Sequence, residues 1–328
     1  MIKPTTRYGQ ATARAQAQRA DPRMVAEVAE GLALPQKELP PKYFYDQRGS
    51  ELFEAITRLP EYYQTRTERT LLTSWMPELI TRLGTRTLVE LGAGNAEKSR
   101  IILNAMRAAG TAELYVPIDV SASFLGQTAA CLRREYPRLL VEPAIADISE
   151  ELNLPRRLPR PALYAFLGGT IGNFYPPAAI RLLSRVCAAM GSGDRFLMGV
   201  DLRKDVARIE AAYNDARGVT AEFNRNMLRV LNYELGADFE PLAFDHRAFY
   251  ESDAHRIEMH LVAREPQLVT IPGIGVVRFG AGESLRTEIS CKHDRESVAQ
   301  LFEAAGLELE EWRTDEESLF GLAVGARA

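Results

Sequence analysis

At 328 residues, 46% hydrophobic and 26% charged, the chain has the composition of a globular protein large enough for two lobes or one enlarged domain. A net charge of -4 offers no basic field to nucleic acid or to an anionic membrane, and no apolar run is long enough to span a bilayer. Cys131, Cys187 and Cys291 are scattered and form no CxxC pair, so buried thiols in a reducing, cytoplasmic setting are expected.

Residues 1–20 are rich in Arg, Ala and Gln and hold no acid. A transit peptide shares that composition, but a disordered tail is the expectation taken. Residues 24–34 have helical apolar spacing and stop near Pro35. The passage 40–69 mixes six aromatics, among them Tyr43, Tyr45 and Phe53, with Gly49, Pro60 and several charges. It reads as a packed irregular connection or as an aromatic wall over a ligand. A helix over 68–83 leads to the apolar run Leu88-Val-Glu-Leu91, read as a short buried strand.

Two glycines, Gly92 and Gly94, break that strand, and a helix-compatible run over 101–109 follows. Further strands are expected at 114–118 ending in Asp119, at 141–146 ending in Asp147, at 162–167 before Gly168-Gly-Thr-Ile-Gly-Asn173, and at 195–200 ending in Asp201. Helices separate them, one opening at Ser121-Ala-Ser123 and another spanning 176–190. Strands alternating with helices of this length predict a parallel, doubly wound sheet, and its strand ends collect Glu90, Asp119, Asp147, Asn173 and Asp201. After Asp201 the pattern changes to helices at 207–213 and 221–235 and then to alternating strands from 248 to 292. A helix at 298–305 and a strand pair at 306–312 and 319–324 close the chain. The fold class expected is therefore α/β, a Rossmann-like sheet with an inserted α+β region.

The glycine turn discriminates between cofactors. A dinucleotide fingerprint needs a third glycine, and here Gly92-x-Gly94 is followed by Asn95-Ala-Glu97. Glu90 and Glu97 flank the turn and oppose a phosphate at the helix N-terminus. S-adenosylmethionine (SAM) carries no phosphate but has a sulfonium, an amino acid tail and a ribose diol. Asp119 suits the ribose hydroxyls, Asp147 the adenine amino group with Ile148 covering the ring, and Lys98 the cofactor carboxylate. Solvated loop residues or helix caps are the plainer reading of the two aspartates. His246, His255, His260 and His293 form no HxxxH or HxH pattern, so no metal is expected, and no G-x-S-x-G supports a hydrolase.

Several long segments resemble one family. They are Tyr-Phe-Tyr-Asp at 43–46, Arg-Leu-Pro-Glu-Tyr-Tyr at 58–63, Leu-Val-Glu-Leu-Gly-Ala-Gly at 88–94 and Gly-Thr-Ile-Gly-Asn-Phe at 169–174. Gly-Val-Thr-Ala-Glu-Phe-Asn-Arg-Asn at 218–226, Arg-Ile-Glu-Met at 256–259 and Thr-Glu-Ile-Ser-Cys-Lys at 287–292 continue the series. In this order they resemble the EgtD-like histidine Nα-methyltransferases of ergothioneine biosynthesis, from about Tyr43 onward. The resemblance implies a class I SAM methyltransferase domain over 66–202 and 292–328 and a substrate-binding domain over 21–65 and 203–291. It implies trimethylation of the α-amino group of L-histidine to hercynine, with SAM as methyl donor. A monomer is expected.

Carried over by position, Asn173 and Tyr213 hold the substrate carboxylate. Tyr62, of the adjacent pair Tyr62 and Tyr63, lies near the amino group. Glu288 and Ser290 bind the imidazole, with Met259 and Phe53 lining that pocket. Tyr62, Asn173 and Tyr213 are the expected catalytic residues, and Tyr45, Gly92, Lys98, Asp119, Asp147 and Ile148 lie on the cofactor side. Ile148 departs from the family's aromatic residue at the adenine-covering position.

From the residues alone, Glu288 would equally pair with Arg286 or Lys292, and Met259 would be a core methionine. Glu288 and Ser290 nevertheless lie two apart on an expected strand and so on one face, a carboxylate beside a hydroxyl. That combination suits the two ring nitrogens of imidazole. A related enzyme acting on another amino acid or small amine, such as tryptophan, is the alternative, opposed by a buried carboxylate facing an indole. A nicotinamide oxidoreductase lacks its third glycine, and a SAM-binding regulator has no need of Glu288 and Ser290.

Overall fold

The computed structural model describes residues 21–328 apart from 121, 149 and 151. The expected tail at 1–20 and Ser121 at the expected helix start lie outside the described residues. In chain order the elements open with α1 (Pro22–Ala33), β1 (Lys37–Glu38), a 3-10 turn (Pro41–Phe44), α2 (Gln47–Thr57) and α3 (Gln64–Leu83). Then come β2 (Thr87–Leu91), α4 (Ser99–Ala109), β3 (Leu114–Asp119), α5 (Ala122–Glu135), β4 (Leu140–Val141) and β5 (Ala144–Ile145). They continue with β6 (Ala162–Phe166), a 3-10 turn (Thr170–Asn173), α6 (Pro176–Ala189), β7 (Arg195–Asp201), α7 (Val206–Tyr213) and α8 (Val219–Leu235). Five strands follow, β8 (Phe244–Glu251), β9 (Arg256–Ala263), β10 (Gln267–Ile271), β11 (Gly275–Phe279) and β12 (Ser284–Cys291). Last are α9 (Arg295–Ala304), β13 (Leu307–Thr314) and β14 (Phe320–Arg327).

The chain divides into two compact units. One comprises Tyr63–Asp205, Ser252–Arg256 and Ser290–Ala328; the other comprises the described residues up to Tyr62 with Val206–Glu251 and Ile257–Ile289. These borders fall two to three residues from the expected ones at 65, 202 and 291, and the short turn Ser252–Arg256 belongs with the first unit.

The first unit is built on a sheet in the order β13-β14-β7-β6-β2-β3-β4, with β5 pairing β3. Strands β2, β3, β6 and β7 are parallel, while β14 is antiparallel to both β7 and β13. Their apolar runs are continuous because both faces are covered. Val89, Val116, Tyr164, Phe166 and Met198 pack against α6 and α9 on one side. Leu88, Tyr115, Leu163, Ala165 and Leu197 pack against α3, α4 and α5 on the other. Chain order reverses at β2, which lies between β3 and β6, and ligands of open α/β sheets bind at the carboxyl ends beside such a switch point.

The second unit carries a sheet in the order β1-β12-β9-β8, the hairpin β10-β11 and helices α1, α2, α7 and α8. Strand β1 pairs in parallel with β12, Lys37 opposite Leu285.

Two expectations are corrected. The passage 40–69 is not an irregular connection, since it contains the whole of α2 and the start of α3. Asp46 caps α2 by accepting the Gly49 N–H at 2.6 Å, and a Cβ at position 49 would collide with the Phe44 carbonyl. The charges lie on the outer face of the helix, where they disguise its period. The single strand expected over 141–146 is instead the two short pieces β4 and β5. Pro143 stands between them and has no N–H to continue a ladder.

Candidate active site

Leu91 at the end of β2 lies opposite Phe166 at the end of β6, so the turns Gly92–Gly94 and Gly168–Gly169 leave the sheet side by side. Gly92 and Gly94 have φ of 69° and 52°, values that disfavour any side chain, and neither would have an atom within 4 Å of an added Cβ. The backbone is therefore bare on its open side. Gly92 and Ala93 donate to the Ile118 carbonyl at 2.8 and 3.1 Å, and Gly94 N–H donates to Asp119 Oδ2 at 3.0 Å. Asp119 thus sets the loop's shape from the end of the neighbouring strand. Asp147 and Ile148 follow β5, both half-buried, and Ile148 packs against the core beneath α6.

Glu90 does not face a ligand. Its buried carboxylate accepts from the Ser99 and Tyr115 hydroxyls and ties β2 to α4 and β3. Burial pushes its pKa up to about 7 against the opposing pull of Ser99, Tyr115 and Lys98. The expectation that Glu90 repels phosphate from the turn is corrected accordingly. Glu97 is exposed and paired with Arg69.

A buried carboxylate that sequence reading missed joins the second glycine turn to Lys98, the N-cap residue of α4. Glu68, on α3, accepts the Gly168 N–H at 2.8 and 3.0 Å and Lys98 Nζ at 2.6 Å. It is wholly buried, and these donors replace its lost hydration. Lys98 is thereby ion-paired through one of its three donors.

A second cluster gathers at the end of β7. Asp201 accepts from the Tyr63 hydroxyl at 2.9 Å, Lys204 Nζ at 2.6 Å and Lys292 Nζ at 2.8 Å. Burial alone would raise the Asp201 pKa, but Lys292 and Lys204 outweigh it and hold the carboxyl below its ordinary range. Burial pushes Lys204 down to about 8, against the pull of Asp201. Lys292 also donates to Ser290 Oγ at 2.8 Å. The cluster fixes the hydroxyl of Tyr63, leaving Tyr62 as the member of the pair outside it. Asn173 ends its 3-10 turn half-buried, and its carboxamide has no hydrogen bond among the described residues.

In the second unit, Tyr45, Phe53 and Tyr62 belong to one aromatic cluster with Phe44 and Phe223. Tyr45 and Phe53 are 5.8 Å apart, Phe53 and Tyr62 6.1 Å, both edge to face. Tyr213 ends α7, and its carbonyl is 2.8 Å from His246 Nε2. Asn224 donates to His246 Nδ1 at 2.9 Å, which places the imidazole proton on Nε2. Thr287 donates to Asn224 Oδ1 at 2.7 Å and lies 3.0 Å from the Met259 carbonyl, so one buried network sets the backbone at both Tyr213 and Met259. Glu288 is half-buried on β12, and Arg286 beside it is bound to Glu38 and Glu258. Met259 is buried on β9. No group of three or more metal-ligating side chains occurs among the described residues.

The doubly wound sheet, the bare glycine turn and the acid at the end of the second strand define a class I SAM-dependent methyltransferase. A SAM-dependent methyltransferase from Clostridium acetobutylicum shares the fold, with a TM-score of 0.50 at 10% identity over 84% of this chain and 97% of its own. Residues 24–327 match the family described as histidine-specific methyltransferase, SAM-dependent, and the chain belongs to that family. The histidine N-alpha-methyltransferase of Mycolicibacterium smegmatis is 45% identical over 92% of this chain and 94% of its own length. The ergothioneine biosynthesis protein 1 of Neurospora crassa is 31% identical over 89% of this chain and 33% of its own length.

Proposed function

We propose that the protein transfers methyl groups from SAM to the α-amino nitrogen of L-histidine, three times in succession, giving hercynine for ergothioneine synthesis. The observation that carries this reading is the 45% identity, over nearly the full length of both chains, to a relative that bears the name histidine N-alpha-methyltransferase.

The residues fit the task. SAM supplies an electrophilic methyl on a sulfonium, and the bare backbone at Gly92 and Gly94 leaves space for a ligand to approach. Asp119 is assigned the ribose, Asp147 and Ile148 the adenine, and Gly92, Lys98 and Tyr45 the remaining cofactor contacts. Transfer is an in-line displacement, so the enzyme's main work is to position an uncharged amine. Asn173 and Tyr213 are assigned the substrate carboxylate and Tyr62 the amino group, which leaves Tyr63 to its structural cluster. Glu288 and Ser290 are assigned the imidazole, with Met259 and Phe53 as apolar lining. We also read the protein as a cytoplasmic monomer.

Incubation with SAM and histidine, followed by mass spectrometry, tests the reaction. The expected products carry one, two and then three added methyl groups on the α-nitrogen. Methylation of tryptophan in preference to histidine would overturn the assignment.

A further inference from the structure

Glu68 is wholly buried, and both of its oxygens are engaged. Oε1 accepts the Gly168 N–H at 2.8 Å, while Oε2 accepts the same N–H at 3.0 Å and Lys98 Nζ at 2.6 Å. A buried ion pair adds little to stability over an apolar pair of the same volume, so its presence calls for another account. The geometry at Lys98 supplies one. Gly168 has φ of 85°, and a Cβ there would lie 3.0 Å from Lys98 Nζ, so the ammonium sits against the turn where only glycine leaves room. Lys98 keeps 22% of its side chain exposed, whereas Glu68 keeps none. An ammonium has three donors, and Glu68 is the one acceptor of Lys98 among the described residues, which leaves two. Glu90, the other carboxylate that feels Lys98, is bound by the Ser99 and Tyr115 hydroxyls instead.

We propose that Glu68 is a positioning residue for cofactor recognition: it holds the Lys98 ammonium ready for the carboxylate of SAM and so makes the site selective for adenosine thioethers that carry the amino acid tail. This rests on the reading of Lys98 as a cofactor contact. A free lysine stem samples many rotamers, and fixing it on binding costs affinity. Held by Glu68, Lys98 has lost that freedom before the cofactor arrives. Glu68 itself acts only through Lys98 and Gly168, since its own oxygens are spent on them. The task requires a carboxylate. One oxygen must accept from Gly168 and the other from Lys98, and an amide would turn its NH2 toward one of those two donors.

The test compares two ligands that share adenosine and a thioether and differ in the tail, S-adenosylhomocysteine and methylthioadenosine. Each is titrated by calorimetry into wild type, Glu68→Gln and the double variant Glu68→Gln/Lys98→Met. In Glu68→Gln the released Lys98 is already partly exposed and can reach solvent, so no charge is stranded. Glu68→Gln is expected to weaken S-adenosylhomocysteine about tenfold and to leave methylthioadenosine within about twofold of wild type. Removing Lys98 as well should cost no more than about a further twofold, because its contribution depends on its seat at Glu68. Should Glu68→Gln not fold, Gly199→Ala takes its place, since a Cβ there would collide with Glu68 Oε1 and displace the same carboxylate.

Equal losses for the two ligands would reduce Glu68 to a structural brace and overturn the inference. Unchanged or tighter S-adenosylhomocysteine binding in Glu68→Gln overturns it too, as does a further loss beyond about twofold on removing Lys98. Wild-type protein that binds both ligands equally well removes the reading of Lys98 as a tail contact, and this inference with it.

Discussion

Glu68 and Gly199 are a matched pair: a Cβ on Gly199 would land on Glu68 Oε1, inside contact distance. A glycine in the middle of β7 thus leaves room for the one carboxylate that joins Gly168 and Lys98. Gly199→Ala should displace Glu68 and press on Phe320, costing about 1–3 kcal/mol as core overpacking does. Thermal melts with and without S-adenosylhomocysteine check this, and an unchanged melting temperature would show that Glu68 relocates freely.

Asp119 both braces Gly94 and is assigned the ribose. Asp119→Ala should weaken S-adenosylhomocysteine roughly ten- to a hundredfold, the value of one or two charge-assisted hydrogen bonds. Calorimetry reads this directly, and wild-type affinity would take Asp119 out of the cofactor site.

Glu288→Ala should weaken histidine by about one to two decades and affect an aromatic amino acid such as phenylalanine much less. Competition against methyl transfer to histidine supplies both constants. An equal loss for the two ligands would mean that the carboxylate is not reading the ring.

Glu90 makes a prediction about pH. Its folded pKa of about 7 lies above the ordinary 4.5, so the folded state takes up the proton more readily than the unfolded chain. Its stabilising contribution is complete below pH 4.5 and is lost as pH rises through 7. His293 slopes the other way, because its pKa is lowered to about 4 and its contribution is lost as pH falls from 6.5 through 4. The difference between variant and wild type therefore isolates Glu90. Glu90→Gln keeps a carbonyl oxygen for Ser99 and Tyr115, and at pH 8 it should stabilise the fold by up to about 3 kcal/mol. Near pH 5 the two proteins should melt alike; a difference that does not change with pH would be incompatible with a titrating Glu90.

The sheet was legible because β2, β3, β6 and β7 are buried on both faces and so print continuous apolar runs. The helix α2 was not, because its exposed face carries Gln47, Arg48 and Glu51 and its cap is a tertiary fit of Gly49 against Phe44. The glycine turn was legible for the same local reason as the sheet: Gly92, Gly94 and Asp119 are spaced by strand lengths. The hubs were not, since Glu68 meets Gly168 and Asp201 meets Lys292 about a hundred residues apart. One signal did exist. Residues 288, 290 and 292 alternate, and period two places Lys292 with Ser290.

The position of β14 has a consequence for how the protein is made. It follows β13 in sequence, yet it lies between β13 and β7, and its residues Phe320, Leu322 and Val324 complete the core over α3. A nascent chain that has emerged only as far as β13 has all the parallel strands and no bridge from β7 to that outer strand. Until synthesis reaches Arg327, β7 carries an open edge beside exposed apolar surface, which is the state most prone to pair with a neighbouring chain. Ribosome-bound intermediates stalled before Phe320 are accordingly the stage at which chaperones would be needed most.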